Sequence, residues 1–393
     1  MFDLPLKDPI LIVALLLVLI GMVPFLARQL RLPSIVLLIL VGMGAGTHGL
    51  GLIARDAQLI LLEKIGLLYI MLLAGVQIDL GNLRRLGLRS LIFGVLTFLV
   101  PFGLGIVLGY FGFGLSMTGA CVVGLLLSPH VLLAYPTVIR QGLTQEEFIG
   151  VTVGATVVTS FLTLLVFSMI QAAALGTLGP GFTLKIVLGL PVLIGLSFWI
   201  IPRWGDQLLK DPQGDLRSQF IFVLATLFVV AGMTTLLGID AIVGAFIAGL
   251  ALNPAIPLHS PLMQRVEFVG NSLFIPSFLI SVGVLCNPRV LGSSVEVVGI
   301  TLALTLVSFL GKAIATGIVR HLFGYSVLQG MAMLSLTIAR AALVLVIALF
   351  ARNYELISEV IFNVTVAYIL LTCLVGSALT EWTTVKLRSE ASA

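Results

Sequence analysis

Long apolar runs, separated by a few charged or turn-forming residues, follow one another along almost the whole chain. Runs of about 18 or more apolar residues can cross a bilayer as helices. The runs are continuous rather than alternating, which favours helices over a closed barrel. The pattern predicts about 13 transmembrane helices, near 9–27, 33–52, 60–78, 89–111, 115–140, 147–174, 183–204, 216–237, 240–253, 267–286, 294–320, 325–350 and 356–380.

Composition agrees with a membrane-embedded chain. Hydrophobic residues make up 59% and charged residues 10%, and the mean hydropathy is +1.21. The net charge of +4 has no basic block that would bind nucleic acid. The three cysteines lack CxxC or Cys/His spacing, which gives no metal site, and no catalytic motif or cofactor motif is present. We expect an all-α membrane protein that is not an enzyme, formed as one transmembrane transporter domain over residues 1–393 without a soluble regulatory domain.

Charge in the loops predicts the orientation. The first apolar run, Pro9 to Ala27, is too long for a typical signal sequence and is interpreted as a retained span. With the N-terminus outside, most of the 21 Lys and Arg residues fall in inner loops. The expected location is therefore the plasma (inner) membrane, as a multi-pass protein with a cytoplasmic C-terminus.

Weak self-similarity at an offset of about 208 residues indicates an internal repeat. Leu73–Val76 matches Ser281–Val284, and the predicted halves are 33–174 and 239–380. Paired spans are seven helices apart and so run in opposite directions, as in inverted-repeat transporters. The same offset sets Ser128–His130 against Thr337–Arg340, which predicts two crossed discontinuous helices broken at Pro129 and Thr337. The alternative for Pro129 alone is an ordinary proline kink.

Several short motifs follow one another in a specific order along the chain. They are Leu32–Ser34 leading into Gly42–Gly46, Leu73–Leu80 followed by Arg84 and Arg85, Gly244–Gly249, Phe274–Gly283, and Gly311–Lys312 with His321–Gly324. Together they resemble the membrane domain of monovalent cation:proton antiporters, the family of sodium/proton exchangers and potassium efflux systems. The resemblance implies a homodimer, a scaffold domain and a mobile core domain that carries ions by alternating access.

The resemblance also implies a carboxylate at the middle of the membrane, which this chain lacks. Thr159 and Ser160 stand where the family has its acidic pair, and His130 stands where exchangers often have Asp. Lys312 and Arg340 match basic residues of the family. All 17 Asp and Glu residues lie in predicted loops or within about two helical turns of a predicted span end.

The candidate substrate or ion site therefore combines Ser128, His130, Thr159, Ser160, Lys312 and Arg340. A basic side chain at the centre of a span costs about 2.5 to 3.5 kcal/mol on insertion scales, so Lys312 and Arg340 need partners. Lys312 is either a cap on half-helix carbonyls or a direct substrate ligand. His130 is either a proton carrier or a neutral, hydrogen-bonded residue that fills the helix break.

Three functions remain open from the sequence. The first is a monovalent cation (Na⁺ or K⁺):proton antiporter with an atypical ion site. The second is a transporter of an anion, such as bicarbonate, chloride or a small carboxylate, or of a neutral solute on the same fold, favoured by His130, Lys312 and Arg340. The third is a membrane sensor or scaffold that transports nothing. The expected partners are a small ion or solute, protons, lipid and a second copy of the chain.

Overall fold

The computed structural model describes residues 5–30, 34–77, 86–176, 179–209, 215–257, 260–287, 289, 295–340 and 342–391. Some of the motif residues lie outside these ranges, namely Leu32, Pro33, residues 78–80, Arg84 and Arg85.

The described part of the first half of the chain is helical, without strands. A π-helical turn, Leu108–Gly112, extends the fourth helix, and another, Lys185–Gly189, joins the eighth to the ninth. The helices are α1 Pro9–Leu30, α2 Ser34–Ala45, α3 Ala57–Val76, α4 Gly87–Val107, α5 Met117–Leu127, α6 Tyr135–Arg140, α7 Glu147–Ala174, α8 Pro180–Leu184 and α9 Leu190–Leu209.

The second half is likewise helical wherever the structure describes it. A π-helical turn, Gly270–Phe274, joins the twelfth and thirteenth helices into one rod. The helices are α10 Leu216–Leu236, α11 Ala241–Leu252, α12 Pro261–Val269, α13 Ile275–Leu285, α14 Val295–Phe323, α15 Val327–Ile338, α16 Ala342–Asn353 and α17 Glu359–Ala391.

Polar residues between the apolar runs set several helix starts. Asp56 precedes α3 and its carboxylate accepts the backbone N–H of Leu59 at 2.9 Å. Ser326 and Gln329 form a reciprocal capping box at the start of α15. Gly324, just after α14, has a φ of +72°, a left-handed conformation that glycine adopts without strain. Several helices therefore begin at a polar capping residue or end at a glycine that separates two apolar runs.

The predicted spans correspond closely to these helices. Within the described ranges, nine helices are long and apolar enough to cross a membrane. The number is ten if α15 and most of α16, which are bent by 42° relative to each other, are counted as one span. Three further apolar helices are shorter, Ser34–Ala45, Met117–Leu127 and Ala241–Ala255. The predicted span 147–174 coincides with α7. The all-α membrane fold is confirmed, and the count of thirteen spans stays a prediction.

The chain divides into two compact units. Unit 1 comprises Met1–Ile78 and Gln171–Leu285, and unit 2 comprises Asp79–Ile170 and Cys286–Ala393. The candidate residues of the predicted broken helices all belong to unit 2. The single transporter domain with halves 33–174 and 239–380 stays a prediction.

The order of helices repeats along the chain. A short helix, a full-length helix, a long helix, a broken helix and another long helix occur first from α2 to α7 and again from α11 to α17. In unit 1, α2 packs on α13 and α3 packs on α11, so the first helix of each series contacts the second helix of the other. This exchange of partners supports the internal repeat.

Four glycines make these contacts close. A Cβ on Gly42 would lie 2.3 Å from the carbonyl oxygen of Ile280, and one on Gly283 would lie 2.2 Å from that of Ile39. In the other pair, a Cβ on Gly249 would lie 2.9 Å from the Cα of Gly75. Small residues allow membrane helices to approach backbone to backbone. Equivalent glycines thus hold both pairs of repeated helices together.

Candidate functional site

The two helix breaks of unit 2 lie against each other. Helix α5 ends at Leu127, and Ser128 to Leu132 follow without helical structure. Helix α15 ends at Ile338, and Ala339 is extended. The backbone N–H of Val131 donates to the carbonyl of Ala339 at 3.0 Å, which joins the breaks directly. The predicted discontinuous helices therefore meet at their interruptions.

The predicted break residues occupy different positions. Pro129 lies in the non-helical segment after α5, where a proline cannot donate a helical hydrogen bond and disfavours helix in the residue before it. Thr337 is still helical, in the last turn of α15, and its hydroxyl donates to the carbonyl of Leu334. The second interruption therefore begins at Ala339, two residues later.

Lys312 is fully buried on α14 and directs its ammonium at the first break. Its Nζ donates to the carbonyl of Ser128 at 2.6 Å and to the carbonyl of Thr97 at 2.8 Å. The third contact, at 3.2 Å, is to Nδ1 of His130. All three ammonium protons thus have an acceptor inside the protein.

The carbonyl of Thr97 is available because of a proline that sequence reasoning missed. In an α-helix this carbonyl would accept from the residue four positions later, which is Pro101, and proline has no N–H. The backbone of α14 packs at this point, since a Cβ on Gly311 would lie 2.9 Å from the Cα of Pro101. Prolines inside the predicted spans were the signal that could have located this acceptor.

Arg340, also fully buried, lies in the second break and donates hydrogen bonds to four acceptors. Its Nη1 donates to the carbonyl of Thr337 at 2.8 Å and its Nη2 to that of Leu127 at 2.9 Å. Nη2 also donates to Ser308 Oγ at 2.7 Å, and Nε donates to the hydroxyl of Tyr368 at 2.8 Å. Arg340 therefore caps the C-terminal ends of both interrupted helices, where the helix dipole is negative.

Hydrogen bonding determines the tautomer of His130, which is buried between Lys312 and α7. Because Nδ1 accepts from the Lys312 ammonium, the ring proton of a neutral imidazole must sit on Nε2. Nε2 then donates to Thr156 Oγ1 at 3.0 Å, and Thr156 donates to the carbonyl of Thr152 at 3.0 Å. A continuous hydrogen-bonded chain thus runs from Lys312 to the backbone of α7.

Thr159 and Ser160, which stand in place of the acidic pair that the resemblance implies, differ in their contacts. Thr159 is fully buried, and its hydroxyl lies 2.9 Å from that of Thr97 and 3.0 Å from the carbonyl of Gly94. Ser160 is half-buried and has no side-chain hydrogen bond within the described residues. Thr159 therefore joins α7 to α4, and Ser160 is the hydroxyl that remains available.

No carboxylate faces the two cations of this cluster within the described residues. Among the described residues of unit 2, no Asp or Glu is buried. The acceptors are carbonyl oxygens instead: that of Thr97 in α4 and those at the ends of the interrupted helices, each end carrying about half a negative charge. The structure thus brings together Ser128, His130, Lys312 and Arg340 around the breaks, with Thr159 linked through Thr97.

One buried carboxylate was not anticipated from the sequence. Glu63 lies in α3 of unit 1, only 4% exposed, and is paired with Arg55. Its other partner is the hydroxyl of Ser281, which donates at 2.6 Å. Arg55, eight residues before Glu63, was the available local signal, because a buried carboxylate needs a cation or several donors.

The family model and the related proteins that match this chain point to the same family. The family described as sodium/hydrogen exchanger, transmembrane, matches residues 12–386. The Na⁺/H⁺ antiporter NhaS5 of Synechocystis is 32% identical over 382 residues, which are 95% of this chain and 54% of that protein. The chain thus spans about half the length of that relative.

Two proteins of Methanocaldococcus jannaschii also match. The probable Na⁺/H⁺ antiporter 3 is 26% identical over 366 residues, covering 91% of this chain and 92% of that protein. The solved structure of the sodium proton antiporter MjNhaP1 superposes with a TM-score of 0.76 at 16% identity, covering 97% of this chain and 98% of that chain. The structural likeness shows that the fold is shared.

Proposed function

The chain belongs to the sodium/hydrogen exchanger family, and on this premise we propose that it is a membrane antiporter that exchanges Na⁺ or K⁺ for protons. The observation that carries the proposal is the contact of the Lys312 ammonium with His130 and with the freed carbonyls of Thr97 and Ser128. These atoms lie where the interrupted helices meet, which is the usual place of an ion site in such folds.

Lys312 takes the role of the proton-carrying group. A buried charge without a counter-ion is costly, and no buried carboxylate is present among the described residues of unit 2. Arg340 does not release its proton in proteins, whereas a buried lysine does. His130, whose Nδ1 contacts the ammonium, provides the first acceptor on the path of the proton toward Thr156. Lys312 and His130 thus replace the carboxylate at the position of Thr159 and Ser160.

Charge conservation couples the two flows. If one proton leaves Lys312 for each monovalent cation that binds, the total charge of the buried cluster does not change. A constant charge avoids the large cost of adding an uncompensated ion to a low-dielectric interior. The proposal therefore implies exchange of one cation for one proton.

The same contacts argue against an anion as the substrate. An anion would need free donors, but the three protons of Lys312 point to protein acceptors. Arg340 already serves four acceptors, including two helix-end carbonyls. Cation exchange uses these acceptors and therefore fits the site better.

The proposal extends to the membrane arrangement. We place the N-terminus outside and the C-terminus in the cytoplasm, in the plasma (inner) membrane, and we propose a homodimer as the assembly. The excess of Lys and Arg in the predicted inner loops supports the orientation.

Proteoliposomes with a trapped pH-sensitive dye test the function. We expect an imposed Na⁺ or K⁺ gradient to drive proton movement in the wild-type protein and in Lys185→Met, which removes an exposed lysine. Lys312→Met should abolish that movement. Absence of proton movement under Li⁺, Na⁺, K⁺ and Rb⁺ gradients in folded wild-type protein would refute antiport, and activity in Lys312→Met would refute the assignment of Lys312. Ser160→Asp should increase the sodium-driven component, because it returns a carboxylate to the family position.

A further inference from the structure

We propose that the acceptors around the Lys312 ammonium form a binding site for a potassium-sized cation, and that Lys312 is a tethered competitor for this site. The inference deepens the proposed function and rests on it in one respect, namely that Lys312 leaves these acceptors during exchange. The ligand class is a weakly hydrated monovalent cation, K⁺, Rb⁺ or NH₄⁺, rather than Na⁺ or Li⁺.

The geometry of the acceptors carries the argument. Two carbonyl oxygens and one ring nitrogen surround Nζ at 2.8, 2.6 and 3.2 Å. An ammonium ion and K⁺ are nearly equal in size, whereas the smaller Na⁺ draws its ligands closer. Acceptors spaced for an ammonium therefore suit K⁺ without rearrangement. Backbone carbonyls that replace a hydration shell are also the ligands of potassium-selective filters.

Local sequence makes both carbonyls free to act as ligands. Thr97 lacks its helical partner because Pro101 has no N–H, and Ser128 stands at the C-terminal end of α5, directly before Pro129. The end of α5 adds the negative pole of a helix dipole. The site thus attracts one positive charge through neutral ligands, which distinguishes it from a carboxylate site.

A second position for the Lys312 side chain lies beside the first. A cavity of about 30 Å³ lies beside Lys312, and this volume holds a water-sized group. Its other lining residues are three with hydroxyl groups, Thr305, Ser308 and Thr372, and three apolar ones, Phe309, Ile338 and Val375. Ser308 Oγ accepts from Arg340 and Tyr368, and no hydrogen bond that it donates is present among the described residues.

The two positions suit the two charge states of Lys312. The ammonium has only donors and matches the carbonyls, whereas a neutral amine has a lone pair that accepts from a hydroxyl such as Ser308. Ser308 is four residues before Lys312 on α14 and therefore on the same face. Loss of the proton thus moves Lys312 from the carbonyls to the cavity, and the cation takes its place.

Binding measurements on purified Lys312→Ala test the site independently of transport. The midpoint of thermal unfolding is measured against added KCl, RbCl, NH₄Cl, NaCl and LiCl, with ionic strength held constant by choline chloride. We expect a saturable rise for K⁺, Rb⁺ and NH₄⁺, with half-saturation at about tenfold lower concentration than for Na⁺. Lys312→Met, which keeps the volume of the lysine stem, is the second variant if Lys312→Ala does not fold. Lys185→Ala is the matched control: Lys312 still competes for the site in this variant, so half-saturation by K⁺ should need a concentration at least about tenfold higher than in Lys312→Ala.

The site would be overturned by equal half-saturation concentrations for K⁺ and Na⁺, or by the absence of a saturable rise in the unfolding midpoint of either Lys312 variant. The result is separable from the proposed function. Potassium binding to the variants without antiport by the wild-type protein would leave the site standing and refute the function. Antiport by the wild-type protein without potassium binding to the variants would do the reverse.

A filled cavity tests the second position of Lys312. Thr305→Leu introduces a larger apolar side chain into the cavity wall, whereas Thr301→Leu makes the same change one turn away, outside the lining. We expect potassium-driven proton movement to fall at least about tenfold in Thr305→Leu, because the amine is held at the carbonyls, and to persist in Thr301→Leu. Wild-type rates in Thr305→Leu would overturn the movement of Lys312.

Discussion

The guanidinium of Arg340 donates to the carbonyl of Leu127 at 2.9 Å, across 213 positions of the sequence. Leu127 is the last residue of α5, and Arg340 follows the end of α15. One side chain therefore joins the two interrupted helices, and it also caps its own helix through the carbonyl of Thr337. The cost of burying this charge is offset by two helix ends that would otherwise lack donors.

Replacement of Arg340 by lysine should destabilise the protein although the charge is kept. A lysine cannot reproduce the planar fork of donors, so at least one buried carbonyl loses its partner. We expect a loss of about 2 to 3 kcal/mol, seen as a lower unfolding midpoint in detergent. Arg217→Lys, at an exposed position of α10, is the control. An unchanged midpoint in Arg340→Lys would show that the capping role is unimportant.

The close packing of the repeated helices predicts opposite outcomes for two glycines of α2. Gly42→Ala places a Cβ 2.3 Å from the backbone of Ile280, whereas a Cβ at Gly44 meets nothing within 4 Å. Gly42→Ala should destabilise by about 1 to 3 kcal/mol through overpacking. Gly44→Ala should be neutral or stabilise by up to about 1 kcal/mol, because alanine favours helix. Thermal unfolding of both variants measures these changes. Equal changes in stability for Gly42→Ala and Gly44→Ala would contradict the close packing of α2 on α13.

The buried carboxylate of unit 1 predicts an unusually strong ion pair. The Glu63 side chain is 6% exposed and that of Arg55 is 23% exposed, whereas Glu359, the partner of Arg352, is 57% exposed. A double-mutant cycle with Arg55→Ala and Glu63→Gln should give a coupling free energy of about 2 kcal/mol. The matched cycle at Arg352 and Glu359 should give about 0.2 to 1 kcal/mol. Similar values in both cycles would refute the role of burial.

Alkaline pH should destabilise the protein through Tyr325, which lies outside the membrane-spanning helices. Burial, followed by the hydrogen bond donated to Glu147, raises the pKa of Tyr325 to about 12. Since an unfolded tyrosine has a pKa of about 10, the folded state favours the neutral phenol. The contribution of Tyr325 to stability is full below pH 10 and is lost as the pH rises toward about 12.

Unfolding midpoints measured between pH 9 and about 12 check this dependence. The wild-type protein should lose more stability over this range than Tyr325→Phe, which cannot ionise, and Tyr110→Phe, at an exposed position, should follow the wild-type protein. Parallel curves for the wild-type protein and Tyr325→Phe would contradict the assignment.

Local chemistry accounts for the part of the site that was predictable. Apolar runs must form helices in lipid, so the positions of most helices follow from hydropathy alone. Pro129 has no N–H to donate and therefore kinks or ends a helix, and buried basic residues in such helices need partners. His130, Lys312 and Arg340 could therefore be named as candidate site residues before their contacts were known.

Tertiary structure decided what those residues contact. Lys312 contacts the carbonyl of Thr97, 215 positions away, and Glu63 pairs with Ser281 across 218 positions. A sequence pattern reports which groups need partners, because that need arises from each residue and its own helix. It does not report which distant backbone atom is brought within 3 Å, because that depends on the packing of whole helices. The sequence alone thus determined the helices and the charges of the site, and the fold decided that carbonyl oxygens, not carboxylates, face them.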